Sequence, residues 1–296
     1  MQVTNPENLF VPYIPVLIFV GLIYLRKGYR RYFHPKLRLS ENQDNPVGNK
    51  LLRSPGESLV QEVEEWNEHI SMALIFLFFG PVIFFAVSSG IVGSDKSEQN
   101  ISLIGYTLIT VLILCWLWWA LTQRSERKLG LMGERAVGEE LNKLMEDGCR
   151  VYHDFKKDDG GNIDHVVVAS SGVYCVETKC WRKSRGPDGH KIKFDGEAIH
   201  SPRGTSTGEI NQTKGHVRKL SKWLSNAVGE EVPVKGILTF PGWFVTSTSE
   251  PTPNLRVLNP GMIRGDIRKG SQGVLSEKQI KQIGHQLDQN CRDVEF

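Results

Sequence analysis

Asp164, Glu177 and Lys179 are the residues through which this sequence first suggests chemistry. Asp164 lies in the run 162–169, Asn-Ile-Asp-His-Val-Val-Val-Ala, while Glu177 and Lys179 close the run 172–179, Gly-Val-Tyr-Cys-Val-Glu-Thr-Lys. Both runs are rich in β-branched and aromatic residues, and only Ser170 and Ser171 separate them, which predicts a β-hairpin. A turn centred between the two serines pairs Val168 with Val173, Val166 with Cys175 and Asp164 with Glu177. Cβ atoms of such pairs are about 4.5–5.5 Å apart, and Lys179, two residues beyond Glu177, shares its face. Opposed carboxylates repel, and a divalent cation removes that cost. Mg²⁺ takes hard oxygen ligands from one or two carboxylates and keeps positions for water and phosphate oxygens, and Mn²⁺ favours the same donors. A neighbouring lysine can orient an attacking water and offset charge developing on a phosphate. The plainer alternative is an acidic strand end in which Lys179 simply pairs with Glu177.

Other elements must position this trio. Residues 133–146 predict an amphipathic helix with Val137, Leu141, Leu144 and Met145 on one face, and Glu134 falls on that same face. An acid there is either part of the site or a solvated first-turn residue favoured by the helix dipole. Residues 211–224 predict a second helix with Gln212, His216, Leu220 and Trp223 along one side. Strands are expected at 151–155, within 234–245 and at 255–258, with a closing helix at 275–287 begun by Ser276-Glu277. Arg182, Lys183, Arg185, Lys191 and Lys193, interleaved with Trp181, His190 and Phe194, predict a basic hairpin turned at residues 186–189 and suited to phosphate contacts and base stacking. His153 and His165 are read as structural.

The wider string is more specific than the trio. Gly133-Glu134 opening a helix, then residues 161–168, Gly-Asn-Ile-Asp-His-Val-Val-Val, then Gly172-Val173-Tyr174 and Glu177-Thr178-Lys179 followed by Trp181, resembles the nuclease-related domain (NERD) family of restriction-endonuclease-like phosphodiesterases. The resemblance covers residues 129–245 and implies an α/β fold, a restriction-endonuclease-like mixed sheet flanked by helices, within a domain extending over 129–296. It implies a site of Glu134, Asp164, Glu177, Lys179 and Gln212, with Mg²⁺ or Mn²⁺ on Asp164 and Glu177 and nucleic acid, DNA foremost, as substrate. Gln212 lies farther from Pro202 than the family pattern has it. The rival reading is a non-catalytic module of the same fold that binds nucleic acid or a protein.

The first part of the chain has another character. Residues 10–25, 70–92 and 101–121 lack charged side chains, and the last two, of 23 and 21 residues, are long enough to cross a hydrocarbon core of about 30 Å. Lys and Arg cluster after the first stretch, at residues 26–38, and after the third, at 124–128, whereas the segment 93–100 carries a single Lys96 beside Asp95 and Glu98. These stretches and this asymmetry predict a multi-pass protein of the inner (cytoplasmic) membrane, with an all-α anchor of about three helices ahead of the α/β domain. Its N-terminus is placed outside, residues 26–69 inside, and everything after 121 in the cytosol. Residues 39–56 are read as linker and 57–69 as an acidic juxtamembrane helix. The three stretches contain no Asp, Glu, Lys, Arg or His, which argues against a transporter.

Composition limits the remainder. The 36 Lys and Arg against 33 Asp and Glu give a net charge of +3, too mild for a dedicated nucleic-acid coat. Five cysteines form no Cys-x-x-Cys pair, which disfavours a zinc ribbon or a disulfide framework. The absence of a Gly-x-x-x-x-Gly-Lys string disfavours an ATPase.

Overall fold

The computed structural model describes residues 50–91, 96–158, 160–248, 254–270 and 273–295. The apolar stretch 10–25, the basic cluster 26–38 and most of the expected linker fall outside them. The chain divides into two compact units: residues 1–38 with 62–126, and residues 39–61 with 127–296.

Among the described residues of the first unit, two helices are long and apolar enough to cross a membrane, by length and composition alone. They are α1 (Glu57–Ile91) and α2 (Lys96–Asn142), each of which begins or ends in the second unit. Trp66 meets Trp119 edge-to-face at 5.3 Å, and Arg124 Nε donates to Asn67 Oδ1 at 2.5 Å. Large apolar side chains point outward, Phe78 at 75% exposure and Trp118 at 74%.

The second unit is mixed α/β. Its main sheet is built from β2 (Arg150–Lys156), β3 (Asn162–Ala169), β4 (Gly172–Thr178), β8 (Val234–Thr239) and β10 (Leu255–Leu258), in the order β10-β8-β4-β3-β2. Strands β2, β3 and β4 are antiparallel neighbours, while β8 pairs in parallel with both β4 and β10. Side-chain alternation sends successive residues to opposite faces. Val166, Val168, Val173 and Cys175 pack with Leu220 and Leu224 of α3 (Gly208–Val228) and with Ile283 and Leu287 of α5 (Glu277–Cys291). Val167, Ala169, Tyr174 and Val176 pack with Val137 and Leu141 of α2 and with Ile263 and Ile267 of α4 (Pro260–Lys269). Both strands of the β3–β4 hairpin are therefore buried on two faces, which explains their nearly continuous apolar sequence.

A second sheet comprises β5 (Lys191–Phe194), β6 (Ile199–Ser201), β7 (Gly204–Ser206) and β9 (Phe244–Ser247), in the order β7-β6-β5-β9. Here the structure corrects the expected basic hairpin. Residues 181–185 form no strand, and β5 pairs instead with β6 and β9, because Ile192 and Phe194 join the apolar cluster around Phe240 and Trp243. Met145 is a second correction: it is 50% exposed, since the helical period gives way to a 3₁₀ turn at Lys143–Asp147.

Residues 50–58, read above as linker and helix start, are tied into this unit. Strand β1 (Lys50–Leu52) pairs antiparallel with β11 (Arg292–Glu295). The buried Arg53 grips Asp293 with Nε and Nη2 and donates from Nη1 to the Asp154 carbonyl. Asp154 itself is fully buried and takes φ of 53°, a left-handed conformation rare outside glycine. Its Oδ2 accepts the Ser58 backbone N–H at 3.0 Å and hydroxyl at 2.6 Å, so it caps the first turn of α1 from a neighbouring strand.

Close approach of α2 to the end of β4 requires Gly133. A Cβ there would lie 1.8 Å from Cys180 Sγ and 3.1 Å from Pro241 Cγ. Gly133→Ala is expected to lower stability by up to about 2 kcal/mol, an overpacking cost of about 1–3 kcal/mol offset by about 1 kcal/mol of helix propensity. Cys180→Ala in the same chain should recover most of that stability, a coupling that paired melting curves of the single and double variants will show.

Candidate active site

The hairpin adopts the register expected from its centre: Ala169 pairs with Gly172, Val168 with Val173, Val166 with Cys175 and His165 with Val176. Asp164 comes one step beyond this last pair, and its side chain takes over from the backbone ladder. Its Oδ2 accepts the Thr178 N–H at 2.7 Å. Asp164, Glu177 and Glu134 are all buried, at 7%, 2% and 7% exposure. Glu134 is thus no solvated first-turn residue, because its helix begins far upstream at Lys96.

Glu177 gathers the most partners. Its Oε1 accepts from Lys179 Nζ at 2.9 Å and from Gln212 Nε2 at 3.0 Å, and its Oε2 is 2.9 Å from His216 Nδ1. Gln212 and His216 project from one side of α3, four residues apart, onto the face of the sheet that carries Glu177. His216 Nε2 is 3.1 Å from Lys157 Nζ. An ammonium can only donate, so Nε2 is the acceptor and Nδ1 bears the hydrogen given to Glu177. His216 was missed as a partner of the site, although its position four residues after Gln212 was the available signal.

Electrostatics separates the carboxylates. Burial pushes the Asp164 carboxyl up, and the nearby charges of Glu177 and Glu134 push the same way, holding it well above the usual carboxylate range. Burial also raises Glu177, but the His216 hydrogen bond and the Lys179 charge outweigh it and leave Glu177 below its ordinary value. Lys179 would be lowered by burial, yet Glu177 and Asp164 hold it above its ordinary value. The resting site is therefore an ionised Glu177 bound to Lys179, beside an Asp164 that resists ionisation. The same field reaches Cys180, whose thiol burial, Glu134 and Asp164 raise to about 11.

Behind the site lies a histidine pair. His153 Nδ1 and His165 Nδ1 are 2.9 Å apart, and His165 Nε2 is 3.4 Å from Thr178 Oγ1. Burial lowers His153 to about 4 and holds His165 well below the usual imidazole range, aided there by His153. Both rings are buried and partnered within the fold.

Among the described residues, no group of three or more His, Cys, Asp or Glu side chains is arranged to hold a metal ion. Hard divalent cations need fewer protein ligands than that, since Mg²⁺ usually keeps several waters. The donors fit such an ion. Asp164 and Glu177 present carboxylate oxygens, and among the described residues Glu177 Oε2 accepts one hydrogen bond where it has capacity for two. A cation would also relieve the repulsion that raises Asp164.

No curated protein matches this chain. SfsA from Pyrococcus furiosus, solved in complex with Ca²⁺, matches at 17% identity and a TM-score of 0.21, over 56% of this chain and 54% of that one. The chain thus spans about half the length of that neighbour. The family profile that matches is that of the nuclease-related domain, NERD, over residues 129–241, a stretch containing Glu134, Asp164, Glu177, Lys179 and Gln212.

Proposed function

We propose that the second unit is a metal-dependent phosphodiesterase of restriction-endonuclease-like type that hydrolyses nucleic acid, with DNA as the preferred substrate. The observation that carries this reading is the convergence of Asp164, Glu177, Lys179 and Gln212, from two strands and a helix, within a stretch similar to nuclease-related domains. Asp164 and Glu177 are the residues that would hold Mg²⁺ or Mn²⁺, which supplies Lewis-acid activation of water and of the phosphate. Lys179 positions the attacking water and offsets charge developing on the phosphoryl oxygens. Gln212 and His216 fix the Glu177 carboxylate, and Glu134 adds to the negative field that favours a cation. The test is to incubate the purified full chain with labelled single- and double-stranded DNA and RNA, with Mg²⁺, with Mn²⁺ and with chelator. Cleavage of DNA only with metal is expected, and no cleavage of any substrate would overturn the reading. One observation favours the rival, a non-catalytic binding module: three donors already engage Glu177 without any ion, two on Oε1 and one on Oε2.

By the same proposal this unit lies in the cytosol, beneath a lipid bilayer. Two long apolar helices with outward-facing Phe78 and Trp118, together with the Lys and Arg asymmetry of the loops, support an inner-membrane protein with its N-terminus outside. Cysteines introduced at Ser97 and Ser276 are expected to react with an impermeant maleimide from opposite sides of the membrane. Reaction of both from the outside would overturn the cytosolic assignment of the second unit.

A further inference from the structure

Beside the carboxylate site, helix α3 borders a cleft of about 230 Å³ that the sequence did not single out. Lys157, Lys219 and Lys222 line it together with Phe155 and Trp223, and among the described residues Asp158 is its one acidic wall residue. The cleft is coupled to the site through shared residues. Lys157 holds His216, which in turn holds Glu177. Gln212, His216, Lys219 and Trp223 follow one another at i, i+4, i+7 and i+11, so site and cleft share one side of the same helix. Trp223 is half-buried and fixed edge-to-face on Phe155 at 4.9 Å, giving the cleft a rigid aromatic wall.

We propose that this cleft is a subsite for the sugar–phosphate backbone of a nucleic-acid strand whose scissile bond lies at Asp164 and Glu177. It rests on the phosphodiesterase reading for its place in a reaction, while its binding chemistry stands on the lysines and the aromatic wall. Three ammonium groups against one carboxylate select an anion. The volume lies below the roughly 300–1,000 Å³ typical of pockets that enclose a whole small molecule, so a segment of a longer polyanion is the better occupant. Lys219 and Lys222 lie about 10 and 15 Å along the helix from Gln212, a distance that a strand covers in a few nucleotides. Lysines on the phosphates with bases stacked on an aromatic ring are the means by which proteins hold single strands. An anionic lipid headgroup has similar charge, but the direct link from Lys157 to His216 and Glu177 favours the strand.

The experiment measures anisotropy of a fluorescein-labelled oligo-dT titrated with the detergent-solubilised full chain, in chelator and across a salt series. K219Q/K222Q should weaken binding at least tenfold and reduce the slope of log affinity against log salt by about 1.4, which is about 0.7 for each single-strand phosphate no longer neutralised. K278Q/K281Q, on the exposed side of α5, removes the same charge elsewhere and should leave the slope unchanged. An unchanged slope in K219Q/K222Q, an equal effect in both variants, or weaker binding to phosphatidylglycerol vesicles with oligonucleotide binding intact would overturn the subsite. Because no metal is present, cleavage plays no part in this readout. Failure of the phosphodiesterase reading would show separately, as wild-type protein that binds the strand and does not cut it when metal is restored.

Discussion

Lys179→Met is expected to slow phosphodiester cleavage by about 10² to 10³-fold, or roughly 3–4 kcal/mol, the usual cost of removing a group aimed at charge that develops in the transition state. The geometry makes this variant informative. Lys179 is one of three donors to Glu177, and Gln212 and His216 remain to hold the carboxylate when it is gone. Metal affinity should therefore persist or rise, since a competing cation has been removed. Single-turnover rates at saturating metal, with calorimetric titration of the metal, separate the two quantities. Cleavage at the wild-type rate would remove Lys179 from the reaction and make the tethered binding module the better account.

Asp164→Asn should abolish the stabilisation that metal gives. An ion that binds only the folded chain stabilises it by RT ln(1 + [L]/Kd), about 2.7 kcal/mol at a hundredfold excess over Kd. Asn keeps an oxygen for the Thr178 N–H, seen at 2.7 Å in the wild type, so the hairpin end retains its hydrogen bond. It also removes a carboxyl that burial, Glu177 and Glu134 all oppose when ionised. In chelator the variant should melt at or above the wild-type temperature, and added Mg²⁺ or Mn²⁺ should raise the wild-type Tm alone. An equal rise in both proteins would place the ion elsewhere.

The hairpin was legible from sequence because its two-residue turn and its alternation leave one register. A slip by a single residue would turn Val166, Val168, Val173 and Cys175 away from the α3 face they occupy. Gln212 was legible for a similar reason, as a helical position one turn before His216. The partnership of Glu177 with His216 was not, because it depends on how closely α3 packs on β4, which periodicity does not encode. Glu134 was ambiguous for want of its helix boundary: the charges between residues 122 and 135 hide a helix that runs unbroken from Lys96. The second sheet was illegible because β5 pairs downstream with β6 at residues 199–200 and, far along the chain, with residues 244–247, while the Gly-Pro-Asp-Gly sequence advertised a turn on its upstream side. The pairing of β1 with β11 joins segments that share no pattern at all.

The Arg53 clasp also sets a timetable. Asp293 follows Arg53 by 240 residues and Asp154 follows it by 101. At about 5–20 residues per second, Arg53 leaves the ribosome roughly 10–50 s before the carboxylate it grips, and roughly 5–20 s before the carbonyl it also binds. The contacts of Asp154 with Arg53 and Ser58 can therefore form early, while β1 remains an unpaired edge until β11 is made. Nascent chains halted between residues 160 and 290 should expose that edge, making it the segment most open to chaperones or to mispairing while synthesis is under way.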